Sequence, residues 1–489
     1  MTQRLGASGV RSVLEDRLAQ LRTLSPGFFG FAFARAYYDV LADSCASLVV
    51  AWPLMGADLV IVGMVPAFIV CVALRQRVLP LSSHGHLPWL TAALMMLGAV
   101  LLVGARSAGI HATALLVAAA LVGGLGTGLS ILLWAEVQSC CAPLHLVLAV
   151  SGAFFAGSLL DWIASGLSGM RLFAAMLALP LCSSACATAS LSHVHASEAP
   201  AGASEPVRFP WKLVATLGVY EFALGVRQGA ASFSDGAFSA GVLIASAALF
   251  VAALVLSRRF DLTYVYRTPF ALMSCGLLAA FASLSGGSLL ADLLVSCGYA
   301  LMFLVLTILL CDIARRCRIS AALLCSVEEL VMLTSLPGHA LGSAQVAGLV
   351  PLAPNGPVTL VCLGALVIVA SILLLTEREY ERWGFSLFGV AELAEQARRS
   401  RREQLAERCV RLARERQLSP RELEVLALAV DGMSATQISQ RLCIAPGTLK
   451  SHTRRIYRKC GVHRREELLV LLEQMPPDAN TPSGPSPTA

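Results

Sequence analysis

Charge is scarce in this chain: 37 Lys and Arg and 31 Asp and Glu make up 14% of 489 residues, while 56% are hydrophobic. Soluble domains carry about 25% charge on about 45–50% apolar residues. An ordinary soluble fold is therefore excluded and a membrane body is expected, in line with a mean hydropathy of +0.71. The shortage is regional. Residues 25–376 hold 14 basic and 14 acidic side chains, whereas residues 377–489 hold 19 and 15, a net charge of +4 in a much shorter stretch. Cysteine is plentiful, at 15, but patterned cysteine is absent. There is no CxxC pair and no Cys/His cluster at zinc-ligand spacing, so the cysteines read as small packing residues in apolar runs. The N-terminus is polar and amphipathic (Val13, Leu14, Leu18, Leu21), without the apolar core and small-residue site of a cleaved signal. No nucleophile, metal or cofactor constellation stands out, so neither catalysis nor a cofactor is expected.

Long apolar runs are what the chain does have. A helix needs about 20 apolar residues to cross the hydrocarbon, and twelve such stretches are predicted: 28–51, 53–74, 88–105, 109–135, 143–163, 171–192, 211–231, 236–256, 268–285, 288–311, 319–346 and 351–375. The Ser/Glu/Pro-rich stretch 193–210 divides them six plus six. Loops after even-numbered spans contain Arg75, Arg77, Arg208, Lys212, Arg258, Arg259, Arg267, Arg315, Arg316 and Arg318; loops after odd-numbered spans contain only Arg106 and Arg171. Basic loops stay on the cytoplasmic side, so both termini are expected in the cytoplasm and the protein in the cell (inner) membrane. Segment 1–24, with four arginines, falls on the same side.

Ionisable residues at membrane depth cost several kcal/mol unless paired or hydrated, so each is a functional candidate. Arg35, Asp39 and Asp43 share one helical face at i, i+4 and i+8, with Tyr38 beside them. Glu221 and Arg227 occupy the seventh span, the leading helix of the second half. Asp58, Glu136, Asp161, Asp235, Asp292, Glu328 and Glu329 complete the set. Three readings stay open. Arg35–Asp39 and Glu221–Arg227 are structural ion pairs; or Arg35 and Arg227 meet an anionic or phenolic ligand in a cavity between the halves; or Asp39, Asp58 or Glu328 carries a coupling proton. The string Gly123-Gly124-Leu125-Gly126-Thr127-Gly128 lies within an apolar span with no strand before it. It reads as close helix packing rather than a phosphate loop. Two six-span halves resemble the major facilitator architecture, in which substrate binds between the halves. The loop signature of that family is missing at Val72–Pro80, and Ser257-Arg258-Arg259-Phe260-Asp261 is at most a degenerate echo.

After Thr376 the composition turns polar. Residues 377–417 read as a charged helical connector, with Leu405, Cys409 and Leu412 forming a brief apolar seam of the kind a dimeric signalling helix uses. Residues 418–475 then read as three short helices and a fourth. Ser419-Pro420-Arg421-Glu422 is a capping box with Pro at the first helical position, and Leu423, Leu426, Ala427 and Val430 are its expected apolar face. Ser434 and Gln437 form a second capping box, with Ile438 and Leu442 pointing inward. Pro446 opens a strongly sided third helix. Leu449, His452 and Ile456 face the core; Lys450, Arg454 and Arg458, with Ser451 and Arg455 beside them, face outward. A short helix, a tight turn and a basic-faced helix make a helix-turn-helix.

The stretch Leu418–Leu426, followed by Gly432, Ile438, Leu442, Gly447–His452, Ile456, Lys459, Gly461, Val462 and Arg464, closely resembles the LuxR-type four-helix DNA-binding domain over about 56 residues. The resemblance implies that Lys450, Ser451 and Arg454 meet bases and nearby phosphates, that Thr448 meets backbone, and that Glu466–Glu473 forms a dimer contact. Leu449, Cys460 and Ala445 stand where the family usually has Val, Leu and a capping Ser. The missing hydroxyl at Ala445 weakens that cap by about 1 kcal/mol. The fold class expected is all-α: a polytopic helical membrane bundle of six plus six spans (25–192 and 211–376, joined by 193–210), a connector, a soluble LuxR-type helix-turn-helix domain, and a disordered tail at 476–489. The function expected is a membrane-bound, one-component bacterial transcription regulator. Its partners would be double-stranded DNA, the lipid bilayer, a small-molecule ligand and a second copy of the chain. DNA contacts are assigned to Thr448, Lys450, Ser451, Arg454, Arg455 and Arg458, and ligand contacts to Arg35, Tyr38, Asp39, Glu221 and Arg227. The alternative is a transporter with a cytoplasmic DNA-binding regulatory domain.

Overall fold

The computed structural model describes residues 26–46, 49–51, 54–107, 111–193, 209–229, 233–234, 236–255, 262–282, 289–317, 319–349, 357–374, 408–409, 411–430, 438–439, 442 and 445–462. The amphipathic segment 1–24, Asp235, most of the linker and connector, the second capping box, the helix expected at 466–473 and the tail lie outside these residues. The chain divides into two compact units, Met1–Phe388 and Gly389–Ala489.

Each of the twelve expected spans contains a helix among the described residues. The first half comprises α1 (Phe31–Ala46), α2 (Gly56–Ala73), α3 (Leu87–Ser107), α4 (Ala112–Ser139), α5 (Pro143–Ser165) and α6 (Gly169–His193). The second comprises α7 (Trp211–Gly229), α8 (Ala237–Val255), α9 (Leu262–Ala282), α10 (Leu289–Cys317), α11 (Ala321–Val331) with α12 (Ser335–Val346), and α13 (Pro357–Leu374). Among the described residues, eight helices are long and apolar enough to cross a membrane by length and composition alone. The two leading helices are not among these eight: α1 has only 16 residues, and α7 carries Lys212, Glu221 and Arg227. The body is a multi-pass helical membrane bundle.

Two local departures have physical causes. Apolarity extends the first expected span to residue 51, yet α1 ends at Ala46 and Val49–Ala51 pairs antiparallel with Leu54–Met55. β-Branched Val49 and Val50, close to Pro53, favour extended backbone over a further helical turn. The eleventh span breaks at a 3-10 turn, Met332–Thr334, where Thr334 Oγ1 donates to the Val331 carbonyl at 2.8 Å and the Gly218 carbonyl at 2.9 Å.

Small residues set the helix spacing. A Cβ added to Gly124 would lie 2.4 Å from the Val60 carbonyl oxygen of α2, and one on Gly63 would lie 2.7 Å from that of Leu121. Gly123-Gly124-Leu125-Gly126-Thr127-Gly128 is therefore a backbone-to-backbone contact, as its setting predicts. Gly225 and Gly342 do the same between α7 and α12. The halves meet where α5 packs on α8 and α2 on α11. Two polar ties also cross between them. Glu136 of α4 accepts from the Leu81 and Ser82 N–H groups at 2.9 Å and from Ser320 Oγ at 3.5 Å; Asp58 of α2 meets His339 Nδ1 of α12 at 3.1 Å. Glu136 thus holds loop and helix ends together.

The second unit contains α14 (Pro420–Val430) and α15 (Pro446–Cys460). Its core joins Cys409, Leu412, Val425, Leu426, Ile438, Leu449, Ile456, Cys460 and Val462. Two expectations change here. Cys409 and Leu412, expected in a connector seam, are each 1% exposed and pack into this core; Leu405 lies outside the described residues. On α14 Leu426 is buried and Leu423 packs against the core as expected, but Glu422 and Val425 are buried too and Ala427 is exposed.

Candidate functional site

In the second unit the site begins with the capping box. The Glu422 N–H donates to Ser419 Oγ at 3.2 Å, and the Ser419 N–H donates to Glu422 Oε2 at 2.8 Å. This reciprocal pair starts α14. The same Oε2 accepts from Lys459 Nζ at 2.7 Å, and Lys459 also donates to the Gln417 carbonyl at 2.9 Å. Burial works against the Glu422 charge, yet the hydrogen bonds from Lys459 and the Ser419 N–H outweigh it and hold the carboxyl below its ordinary value. Arg421 Nη2 donates to the Leu442 carbonyl at 2.7 Å. These contacts fix α15 and the Leu442 turn against α14. Sequence reasoning placed Glu422 and Lys459 in the motif without seeing their contact, since 37 residues separate them.

On this frame α15 is sided as its periodicity predicts. Leu449 and Ile456 are 4% and 2% exposed. His452 is half-buried on the same face, with Nδ1 buried and without a hydrogen-bond partner among the described residues. Thr448, Lys450, Ser451, Arg454, Arg455 and Arg458 are all exposed. Lys450, Arg454 and Arg458 follow one line about 12 Å long, at 1.5 Å rise per residue. Pro446 opens the helix, Ala445 supplies no side-chain cap, and Gly461 at φ 72° closes it in the left-handed conformation. The arrangement presents a rigid row of cations, which phosphates and guanine edges recognise.

In the membrane body a second site lies between the halves. Phe31, Ala34, Arg35, Tyr38, Met64, Thr127, Ile131 and Phe154 of the first half and Phe303, Glu329 and Met332 of the second line a small cavity. Arg35 Nε donates to Asp39 Oδ2 at 2.9 Å, as the i, i+4 spacing predicts. Its guanidinium lies 5.3 Å from the ring centres of both Tyr38 and Phe154. The expected Glu221–Arg227 pairing gives way to other partners. Arg227, fully buried, donates to Asp292 Oδ1 at 2.6 Å, while Glu221 accepts from Tyr299 at 2.6 Å. Six residues along a helix place two side chains about 120° apart, so each meets a different neighbour. Asp292 also accepts from the Ser234 N–H and hydroxyl at 3.0 Å. Arg35 and Tyr38 line the cavity; Glu221 and Arg227 do not. Glu329, one of many carboxylates in the sequence, is singled out only by the fold. The 3-10 break that follows it brings Met332 to the same wall.

Residues 416–472 match the family described as "Bacterial regulatory proteins, luxR family". Transcriptional regulators named MalT, from Vibrio campbellii and Serratia proteamaculans, are 39% identical over 64 residues, 13% of this chain and 7% of each relative. The chain thus spans less than a tenth of those proteins. Among solved structures, the E. coli fucose:proton symporter is 16% identical, with a TM-score of 0.44, covering 71% of this chain and 96% of that one. A bacterial homologue of the iron transporter ferroportin is 16% identical, with a TM-score of 0.48, covering 73% and 99%. What those transporters carry stays with them. The region around 416–472 is a LuxR-type helix-turn-helix DNA-binding domain, fused to a multi-pass helical membrane domain.

Proposed function

We propose that this chain is a membrane-bound, one-component bacterial transcription regulator. It resides in the cell (inner) membrane with both ends in the cytoplasm, senses a small molecule through the membrane body, and binds promoter DNA as a homodimer. The observation that carries the reading is the row of exposed cations on α15, in a LuxR-type domain continuous with a membrane bundle that encloses a cavity. Thr448, Lys450, Ser451, Arg454, Arg455 and Arg458 would contact DNA. Arg35, Tyr38 and Asp39 belong to the ligand site, and Glu221 would act on it through Tyr299, which neighbours Phe303 with ring centres 6.2 Å apart. Arg227 serves the fold.

A ligand shifts an equilibrium only by its difference in affinity between two states. The contacts between halves, Asp58–His339 and Glu136–Ser320, are the ones such a shift would remake. The test is selection of DNA from a random-sequence pool by the full chain in lipid nanodiscs. The reading expects an enriched sequence with two half-sites; a pool without enrichment refutes it. Gradient-driven uptake into everted vesicles would instead make the body a transporter.

A further inference from the structure

The cavity between the halves holds one carboxyl group without a hydrogen-bond partner among the described residues. Arg35 is already neutralised, since Asp39 takes its Nε–H and the Tyr38 and Phe154 rings flank the guanidinium. Thr127 Oγ1 is turned away to the Gly123 carbonyl at 2.9 Å. Glu329 differs. It is 95% buried and lines the cavity, yet it accepts no hydrogen bond and forms no ion pair among the described residues. Neighbouring Glu328 is not part of the wall; its Oε1 accepts from Thr307 at 2.8 Å, while its Oε2 is buried without a partner among the described residues. Apart from the Tyr38 hydroxyl the rest of the lining is apolar, with Phe31, Phe154 and Phe303 in a continuous run, ring centres 5.6 and 5.7 Å apart. The run extends from Trp134 on one side to Tyr299 on the other.

From this we infer that the cavity binds an organic monocation, a protonated amine bearing a flat apolar group, with its ammonium on Glu329 and its apolar part along the Phe31–Phe154–Phe303 wall. An unpartnered carboxylate facing an apolar cavity is costly. An ammonium donor turns that cost into a charge-assisted hydrogen bond, and aromatic faces add attraction for the cation. An anionic ligand meets the opposite situation, because the nearest cation is bonded to Asp39 and the free charge repels it. The ligand class therefore differs from the anionic or phenolic ligand considered for Arg35 and Arg227. It deepens the sensor reading, on which it rests for its regulatory meaning, but binding is measured apart from any effect on DNA.

Titration calorimetry on the full chain in zwitterionic nanodiscs compares three probes of one shape: phenethylammonium, phenethyl alcohol and hydrocinnamate. The ammonium is expected to bind saturably, one per chain and at least about tenfold more tightly than the alcohol, with hydrocinnamate weakest. Glu329→Gln should bring the ammonium-to-alcohol ratio to about one, and Glu328→Gln should preserve it. Equal binding of ammonium and alcohol, tightest binding by hydrocinnamate, or no saturable binding of the ammonium overturns the inference. The wild-type ranking decides even if Glu329→Gln does not fold. If the ammonium binds but leaves DNA occupancy unchanged, the cavity assignment stands and the sensor reading falls.

Discussion

Replacing Lys459 with Met removes a charged tie between the two helices that frame the DNA-binding face while keeping the length of the side chain. Lys459 Nζ meets Glu422 Oε2 at 2.7 Å, with the carboxylate 3% exposed and the lysine side chain 33% exposed. Hydrogen bonds to charged groups contribute about 1.5–3 kcal/mol. Water reaches the lysine end, so screening moves the expected loss to and below the lower end of that range, about 1–2 kcal/mol. That corresponds to about 5–30-fold in the local opening equilibrium. Hydrogen exchange on the full chain reads it directly, in peptides covering 420–430 and 446–460. Exchange should quicken there and remain unchanged in α2 and α4. The sign of the pH dependence follows from the depressed Glu422 carboxyl. Its contribution is whole above the ordinary glutamate value of about 4.3 and drains away as pH falls through the folded-state value. The gap in protection between wild type and Glu422→Gln should therefore hold at neutral pH and close in acid. Unchanged exchange in Lys459→Met, or a gap that widens on acidification, refutes the reasoning.

Arg227→Met would leave the buried Asp292 carboxylate with Ser234 as its remaining partner among the described residues, at a cost of about 3–5 kcal/mol. The melting temperature in detergent should drop sharply, and Arg227→Met with Asp292→Asn should recover much of the loss. A single variant that melts like wild type would return Arg227 to the set of ligand residues. Gly124→Ala places a methyl 2.4 Å from the Val60 carbonyl oxygen and should cost about 1–3 kcal/mol through overpacking, again as a lower melting temperature. Gly104→Ala, with nothing within 4 Å of the added Cβ, is the matched control and should melt unchanged.

What the sequence made legible was whatever repeats with a period or ends with a signal. Each of the twelve apolar stretches holds a helix among the described residues, because helix is the fold that satisfies backbone groups in lipid, and eight of these helices are long and apolar enough to cross. Ser419 and Glu422 announced a helix start, Gly461 announced a helix end, and the exposed row on α15 followed from a spacing of four. Pairings across the bundle were another matter. Glu221 and Arg227 are neighbours in sequence, but their partners Tyr299 and Asp292 come from α10, some 70 residues away, where no periodicity points. Val425 is buried and Ala427 exposed, and the Glu422–Lys459 tie beside them joins residues 37 apart that no periodicity links. Glu329 was one carboxylate among many until the break at Met332–Thr334 and the aromatic run of Phe31, Phe154 and Phe303 gave it a cavity.

The central claim is that α15 reads DNA from a membrane-embedded chain. Lys450→Ala with Arg454→Ala tests it, in a footprint of the full chain in nanodiscs on the DNA that wild type selects. Removing two side chains proposed to reach the major groove, at about 1–3 kcal/mol each, should weaken binding by at least about thirtyfold. For every phosphate that is no longer neutralised, the salt dependence should become shallower by about 0.9. Both residues are exposed, so exchange protection of 446–460 should stay at the wild-type level. The account predicts a lost footprint from a folded domain; an unchanged footprint at equal protein concentration contradicts it.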